Sequence, residues 1–143
     1  MEARKYLQKA RYLKKEISYR DKKAEILHNE MIAYKERADE GKYSDAYTRT
    51  MMILYNQKKE AIEGTISRRN DLVSRLDEIA RRVEAVKPEI YSHILYMRYI
   101  DGKSVEEIAQ EMNYTRRWIS KLCSEALKVF AKNNPDVVEE AAD

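Results

Sequence analysis

The first quarter of the chain carries an unbroken heptad pattern. Ala3, Ala10, Ile17, Ala24, Met31 and Ala38 recur at one position, and Tyr6, Leu13, Arg20, Leu27 and Tyr34 stand three residues further on. Spacing of this kind over five heptads predicts a long helix packed in coiled-coil fashion, about 50 Å from end to end. The alanines favour close approach of the neighbouring helix, and Arg20 is the one charged residue on the seam. The same segment carries a second stripe, Tyr12, Tyr19, Ile26 and Ala33, at heptad spacing on another face.

Residues Asp39 to Asp45 form the best turn signal of the first half, with Gly41 suited to a helix C-cap and Ser44 or Asp45 to the next N-cap. From Ala46 to Val86 a second long helix is predicted. Its seam runs Met51, Tyr55, Lys58, Ile62, Thr65, Arg69, Leu72, Leu76, Ile79, Val83 and Val86, widened by Met52, Ile66, Val73 and Ala80. Gly64 costs about 1 kcal/mol in a helix interior, so it is expected to mark a bend or a close crossing. Two long helices joined by a short turn fold back as an antiparallel hairpin. A hairpin alone cannot bury both stripes of the first helix, which predicts a third helix, a dimer, or both.

Pro88 ends the second helix and opens another. Glu89 to Ile100 places Ile90, Ile94, Leu95, Met97 and Ile100 as a floor, and Asp101-Gly102-Lys103 makes the next turn. Ser104 to Phe130 then reads as two short helices around a tight corner. Ser104 and Glu107 form a capping box, Asn113 suits the left-handed conformation of the corner, and Thr115 caps the second helix. Ile119, Leu122, Cys123, Ala126, Leu127 and Phe130 repeat on the inner face of that helix. A small Ala109 four residues before Asn113, with Ile119 and Leu122 six and nine after it, is the spacing of a helix-turn-helix. The predicted fold class is all-α, a long helical hairpin over 1–87 followed by a helix-turn-helix over 88–132. Residues 133–143, which contain Asn133-Asn134-Pro135 and four acids, are expected to be a disordered tail.

Composition agrees with helix. Of 143 residues, 37% are charged and only 3 are Gly and 2 Pro, which leaves few turns. The net charge of +3 argues little, but its distribution says more: Arg4 to Lys23 holds nine bases against Glu16 and Asp21. That cluster reads as a second DNA-backbone contact, a docking face for an acidic partner, or a solvated coiled-coil face. A single cysteine excludes an internal disulfide framework and is compatible with a reducing cytosol. No apolar run reaches bilayer length and no signal-peptide core is present, so a soluble, cytoplasmic protein without membrane contact is expected.

The outward positions of the second short helix carry the candidate chemistry. Arg116 and Arg117 suit guanine edges or phosphates, Ser120 and Lys121 suit the groove side, and Trp118 suits either a sugar or thymine contact or the core. Lys103 and Ser104 suit a phosphate at the N-terminus of the first short helix. With the cap Thr115, the candidate DNA-binding set is Lys103, Ser104, Thr115, Arg116, Arg117, Trp118, Ser120 and Lys121. Cys123 reads as a buried structural thiol. His28 and His93 have no partner at metal-ligand spacing, so neither a metal nor a cofactor is expected. Glu106 and Glu107 are explained by the capping box and a solvated face, and no phosphate loop or nucleophile–base pattern occurs, so no enzyme is expected.

The run KPEIYSHILYMRYIDGKSVEEIAQEMNYTRRWISKLCSEALKVF, Lys87 to Phe130, resembles region 4 of sigma-70-type factors. A helix ending in MRYIDGKS, then VEEIAQEM, then TRRWISKLCSEALKVF carries the resemblance over about a third of the chain. The whole layout, long helices before such a module, is similar to phage transcriptional regulators of the RinA and ArpU type. The resemblance implies a sequence-specific regulator that binds double-stranded DNA as a homodimer or beside RNA polymerase, in a bacterial cytoplasm at the nucleoid. Nothing resembles the sigma region that melts DNA, and Trp118, Ser120 and Lys121 depart from the usual outward set, so a −35-like target does not follow. A DNA-packaging recognition subunit of the small terminase kind and a helical adaptor that binds no DNA are the alternatives.

Overall fold

A computed structural model describes residues 2–42 and 44–142. Among them there is no strand. Six helices follow in order: α1 (Glu2–Asp39), α2 (Asp45–Glu84), α3 (Glu89–Leu95), α4 (Val105–Met112), α5 (Arg116–Asn133) and α6 (Pro135–Ala142). A π-helical turn, Tyr96–Ile100, extends α3, with the Asp101 N–H donating to the Tyr96 carbonyl at 2.9 Å.

The chain forms two compact units, one made of residues 1–14 and 74–143, the other of residues 15–73. In the second unit α1 and α2 run antiparallel. Asp21 pairs with Arg69 at 2.6 Å, while Glu30, further along α1, pairs with Lys58, further back along α2, also at 2.6 Å. The predicted seam lies between them, and Ala38, Met51 and Thr65 are its buried members. Ile17, Ala24, Leu27, Met31, Ile62 and Leu72 are only half-buried. Ser44 accepts from the Tyr47 N–H at 3.3 Å at the start of α2, and Gly41 turns the chain with φ +67. Gly64 differs from expectation. It lies in uninterrupted helix with no atom within 4 Å of where a Cβ would stand, so it marks no close crossing.

In the first unit the start of α1 has a wider buried face than two-helix packing requires. Ala3, Tyr6, Leu7, Ala10 and Leu13 are all buried, Leu7 completely, although Leu7 lies off the heptad seam. The extra burial has a cause in α5: the Tyr6 ring stacks on Phe130. Lys14 Nζ also donates to the Ile100 carbonyl at 2.8 Å, which closes the end of the π turn. The third helix expected over α1 is therefore α5 in this unit. The second stripe is not covered along its length, since Tyr12, Tyr19 and Ile26 remain 56–63% exposed.

Within the stretch 133–143 expected to be a disordered tail, Pro135–Ala142 is helical. Its anchors are local and polar. Arg82 donates to Asn134 Oδ1 at 2.8 Å and pairs with Asp136 at 3.1 Å, and the Asn134 side chain donates to the Phe130 carbonyl at 2.9 Å. Val137 beside them is buried. Composition pointed to disorder, but a partner 54 residues earlier in sequence supplies the ordering contacts.

Candidate nucleic-acid interface

The geometry of α4 and α5 follows from their end residues. Ser104 Oγ accepts from the Glu107 N–H at 3.1 Å, and Glu107 accepts from the Ser104 N–H at 3.1 Å. The Ser104 N–H, with the Ser104 hydroxyl, stabilises the carboxylate and holds Glu107 below the usual glutamate range. At the other end Asn113 takes φ 58, ψ 39, and the Tyr114 N–H donates to the Ala109 carbonyl at 3.0 Å. Thr115 then caps α5 by accepting from the Trp118 N–H at 3.1 Å.

Side-chain size sets the angle between the two helices. Ile94, Ile108, Ala109, Ile119 and Leu122 form one buried cluster, flanked by Ile90, Tyr91, Met97, Val105, Met112 and Cys123. Ala109 lets α4 approach, and the branched residues fill the wedge. The Tyr91 hydroxyl donates to Glu125 at 2.8 Å and links α3 to α5. The π turn, the turn over 101–104 and the Asn113 corner interrupt the regular helices, and backbone hydrogen bonds close each of them.

Arg117, Ser120, Lys121 and Ser124 lie exposed at three- and four-residue steps on α5, one continuous face. Thr115, Arg117, Trp118 and Lys121 line one open hollow on it. Trp118 is 42% exposed with Lys121 Nζ 5.3 Å from its ring centroid, so it faces outward and not into the core. Arg116 is also exposed, but its Nε lies 3.0 Å from Glu106 of α4. Lys103 is held 2.6 Å from Glu111, a hydrogen bond that raises its pKa. Of the eight candidates, the structure therefore places Arg117, Trp118 and Lys121 together with Thr115. Ser104 acts as a cap, Arg116 and Lys103 sit in ion pairs within the module, and Ser120 opens onto a different cleft.

That cleft, about 260 Å³, is lined by Arg4 and Gln8 of α1, Arg98 and Tyr99 of the π turn, Val105, and Ser120, Cys123 and Ser124 of α5. Arg11 joins Gln8, Arg98 and Tyr99 around a smaller hollow. Burial pushes the Tyr99 hydroxyl and the Cys123 thiol up, so both stay protonated near neutral pH. Arg98 and Tyr99 carried no sequence signal, because the π turn moves them out of α-helical register. Arg4 lay inside a basic run whose partner the sequence could not specify. Among the described residues, no three of His, Cys, Asp and Glu gather closely enough to hold a metal ion. No helix among the described residues is long and apolar enough to cross a membrane.

Residues 88–129 match the family model described as Sigma-70, region 4. The matched span runs from the start of α3 to the last turns of α5. It includes the capping box, the Asn113 corner and the exposed α5 face. The C-terminal module is a region 4-like helix-turn-helix, a motif of the DNA-binding kind. No curated protein and no solved structure matched the chain.

Proposed function

We propose that this protein is a sequence-specific regulator of transcription that docks α5 in the major groove of double-stranded DNA. The observation that carries the reading is the exposed α5 face, Arg117 and Lys121 beside an outward Trp118, on a module that matches sigma region 4. Arg117 reads a base edge through its guanidinium fork, Lys121 meets the backbone, and Trp118 packs on a sugar or a thymine methyl. Thr115, Ser104 and Lys103 position the two helices and approach phosphates at their N-termini.

The layout, long helices before a region 4-like module, supports a phage regulator of the RinA and ArpU type working in a bacterial cytoplasm. Exposed Tyr19, Ile26, Ile53 and Ile66 on the unit of residues 15–73 support a partner there, either a second copy or RNA polymerase. In this reading the hairpin binds the partner and the region 4-like module binds DNA.

Gel-shift binding with fragments of the native genome tests the proposal. Arg117→Ala should weaken specific binding by roughly 1–3 kcal/mol and relax the preference at one position. Wild-type binding by both Arg117→Ala and Lys121→Ala would overturn the assignment of α5. A second reading rests on charge: Pro88 to Lys132 holds seven bases against six acids, which favours an adaptor that contacts protein. Steep salt dependence supports DNA, and no affinity for any duplex at low salt supports the adaptor.

A further inference from the structure

The region 4-like module is nearly neutral, yet duplex DNA is held mainly through its phosphates. The missing positive charge is close by in the same compact unit. Residues 2–14 of α1 hold Arg4, Lys5, Lys9, Arg11 and Lys14 against a single acid, Glu2. Two of these side chains, Arg4 and Arg11, line the hollows that also hold Arg98. Ser120 and Ser124 on the opposite wall belong to the exposed face of α5.

We propose that the cleft lined by Arg4, Arg98, Tyr99, Ser120 and Ser124 is a phosphate site, through which α1 grips the DNA backbone at the flank of the groove that α5 enters. This rests on the reading of α5 as the groove-facing helix.

Three observations converge on it. First, the basic side chains here have no carboxylate partner among the described residues. None of the ion pairs among the described residues involves Arg4, Arg11 or Arg98, whereas Lys103, Arg116 and Arg82 each have a carboxylate. Second, the cleft is preorganised. Arg98 is fixed by donating to the Lys103 carbonyl at 3.1 Å, Arg4 approaches the Tyr99 hydroxyl, and no carboxylate lines the cavity. Guanidiniums held around one cleft repel each other until an anion enters between them. Third, the donors suit phosphate: planar guanidinium forks, with serine and tyrosine hydroxyls beside them. A DNA phosphate is favoured over a free anion, because Ser120 and Ser124 share one face with Arg117 and Lys121.

The test measures binding of the full chain to its selected duplex and to an unrelated duplex by fluorescence anisotropy, across a range of KCl concentrations. Arg4→Gln and the double variant Arg4→Gln/Arg11→Gln are compared with Lys22→Gln. This control removes the same charge 18 residues further along α1, about 27 Å away along the helix. Arg4→Gln should weaken both duplexes alike and make the log–log salt slope shallower by about 0.9, the release of one phosphate contact. Lys22→Gln should change neither quantity. Ser124→Glu, which puts a carboxylate into the cleft from the α5 side, should weaken both duplexes as well. Wild-type affinity and slope for Arg4→Gln and the double variant, with Arg117→Ala still impaired, would overturn the phosphate site and leave the α5 reading standing. An equal loss in Lys22→Gln would overturn it too, since the effect would then be general charge. Intact binding by Arg117→Ala and Lys121→Ala, with or without an Arg4 effect, would instead reject the α5 reading on which the site rests.

Discussion

The Tyr6 ring in the first turns of α1 stacks on the Phe130 ring in the last turns of α5, with centroids 5.9 Å apart and planes inclined by 26°. The pair joins residues at opposite ends of the sequence, and Phe130 is completely buried. The module therefore does not end at its own helices; the start of α1 is part of its core. Phe130→Ala should cost about 3–5 kcal/mol. In a double-mutant cycle with Tyr6→Ala, urea unfolding should give a coupling of about 0.5–1.5 kcal/mol. Strict additivity would show that the rings do not support each other.

The corner at Asn113 makes a second prediction. Its φ of 58 lies where a side chain branched at Cβ collides with the backbone, while Asn tolerates the position and Gly is free there. Asn113→Val should destabilise the fold by at least about 1–2 kcal/mol, and Asn113→Gly should stay within a few tenths of wild type. Thermal melts of the two variants decide it. Equal melting temperatures would mean that the corner is not held in this conformation.

Much of the fold was legible because it depends on local rules. The Ser104–Glu107 box, the Asn113 corner, the Thr115 cap and the buried positions from Ile94 to Phe130 all follow from spacing within a few residues. The long helices were equally readable from their seams. What escaped the sequence depends on partners distant along the chain. Leu7 is off the heptad seam and yet completely buried, in the stretch of α1 where Tyr6 stacks on Phe130 of α5. Asn134 and Asp136 are ordered by Arg82, and the π turn that directs Arg98 and Tyr99 into a cleft has no periodic signature. Arg116 was legible as an outward residue, but its pairing with Glu106 depends on the angle between α4 and α5.

Gly64 offers a third test, on the hairpin unit. It is helical and exposed, with open space at the Cβ position. Gly64→Ala should stabilise the protein by about 0.5–1 kcal/mol, by reducing the freedom of the unfolded chain. A lower melting temperature for this variant would mean that the glycine relieves a contact formed in solution, such as one with a second copy.

The capping box makes stability depend on pH. Glu107 is held below its ordinary pKa by the Ser104 N–H and hydroxyl. A depressed carboxyl contributes stability fully above its unfolded value, about 4.3, and loses it as pH falls through the lower folded value. Glu107→Gln keeps the shape of the box without the titration. The wild-type melting temperature should therefore fall more steeply than that of Glu107→Gln between about pH 5 and pH 3. Parallel curves would exclude the box as an acid-sensitive element.

The last prediction concerns the Arg116–Glu106 pair. Both side chains are more than half exposed, so the 3.0 Å contact contributes only about 0–1 kcal/mol to stability. For DNA binding its effect should be larger. Glu106 places a carboxylate beside the N-terminus of the helix proposed to enter the groove and occupies a guanidinium that would otherwise meet phosphate. Glu106→Gln should leave the melting temperature almost unchanged, tighten duplex binding at low salt, and steepen the log–log salt slope by up to about 0.9. Arg116→Ala should also cost more affinity in the Glu106→Gln background than in wild type, because only there is the arginine fully available. If Glu106→Gln binds no tighter, or if Arg116→Ala costs the same in both backgrounds, the pair does not restrain the interface and Arg116 lies away from the DNA.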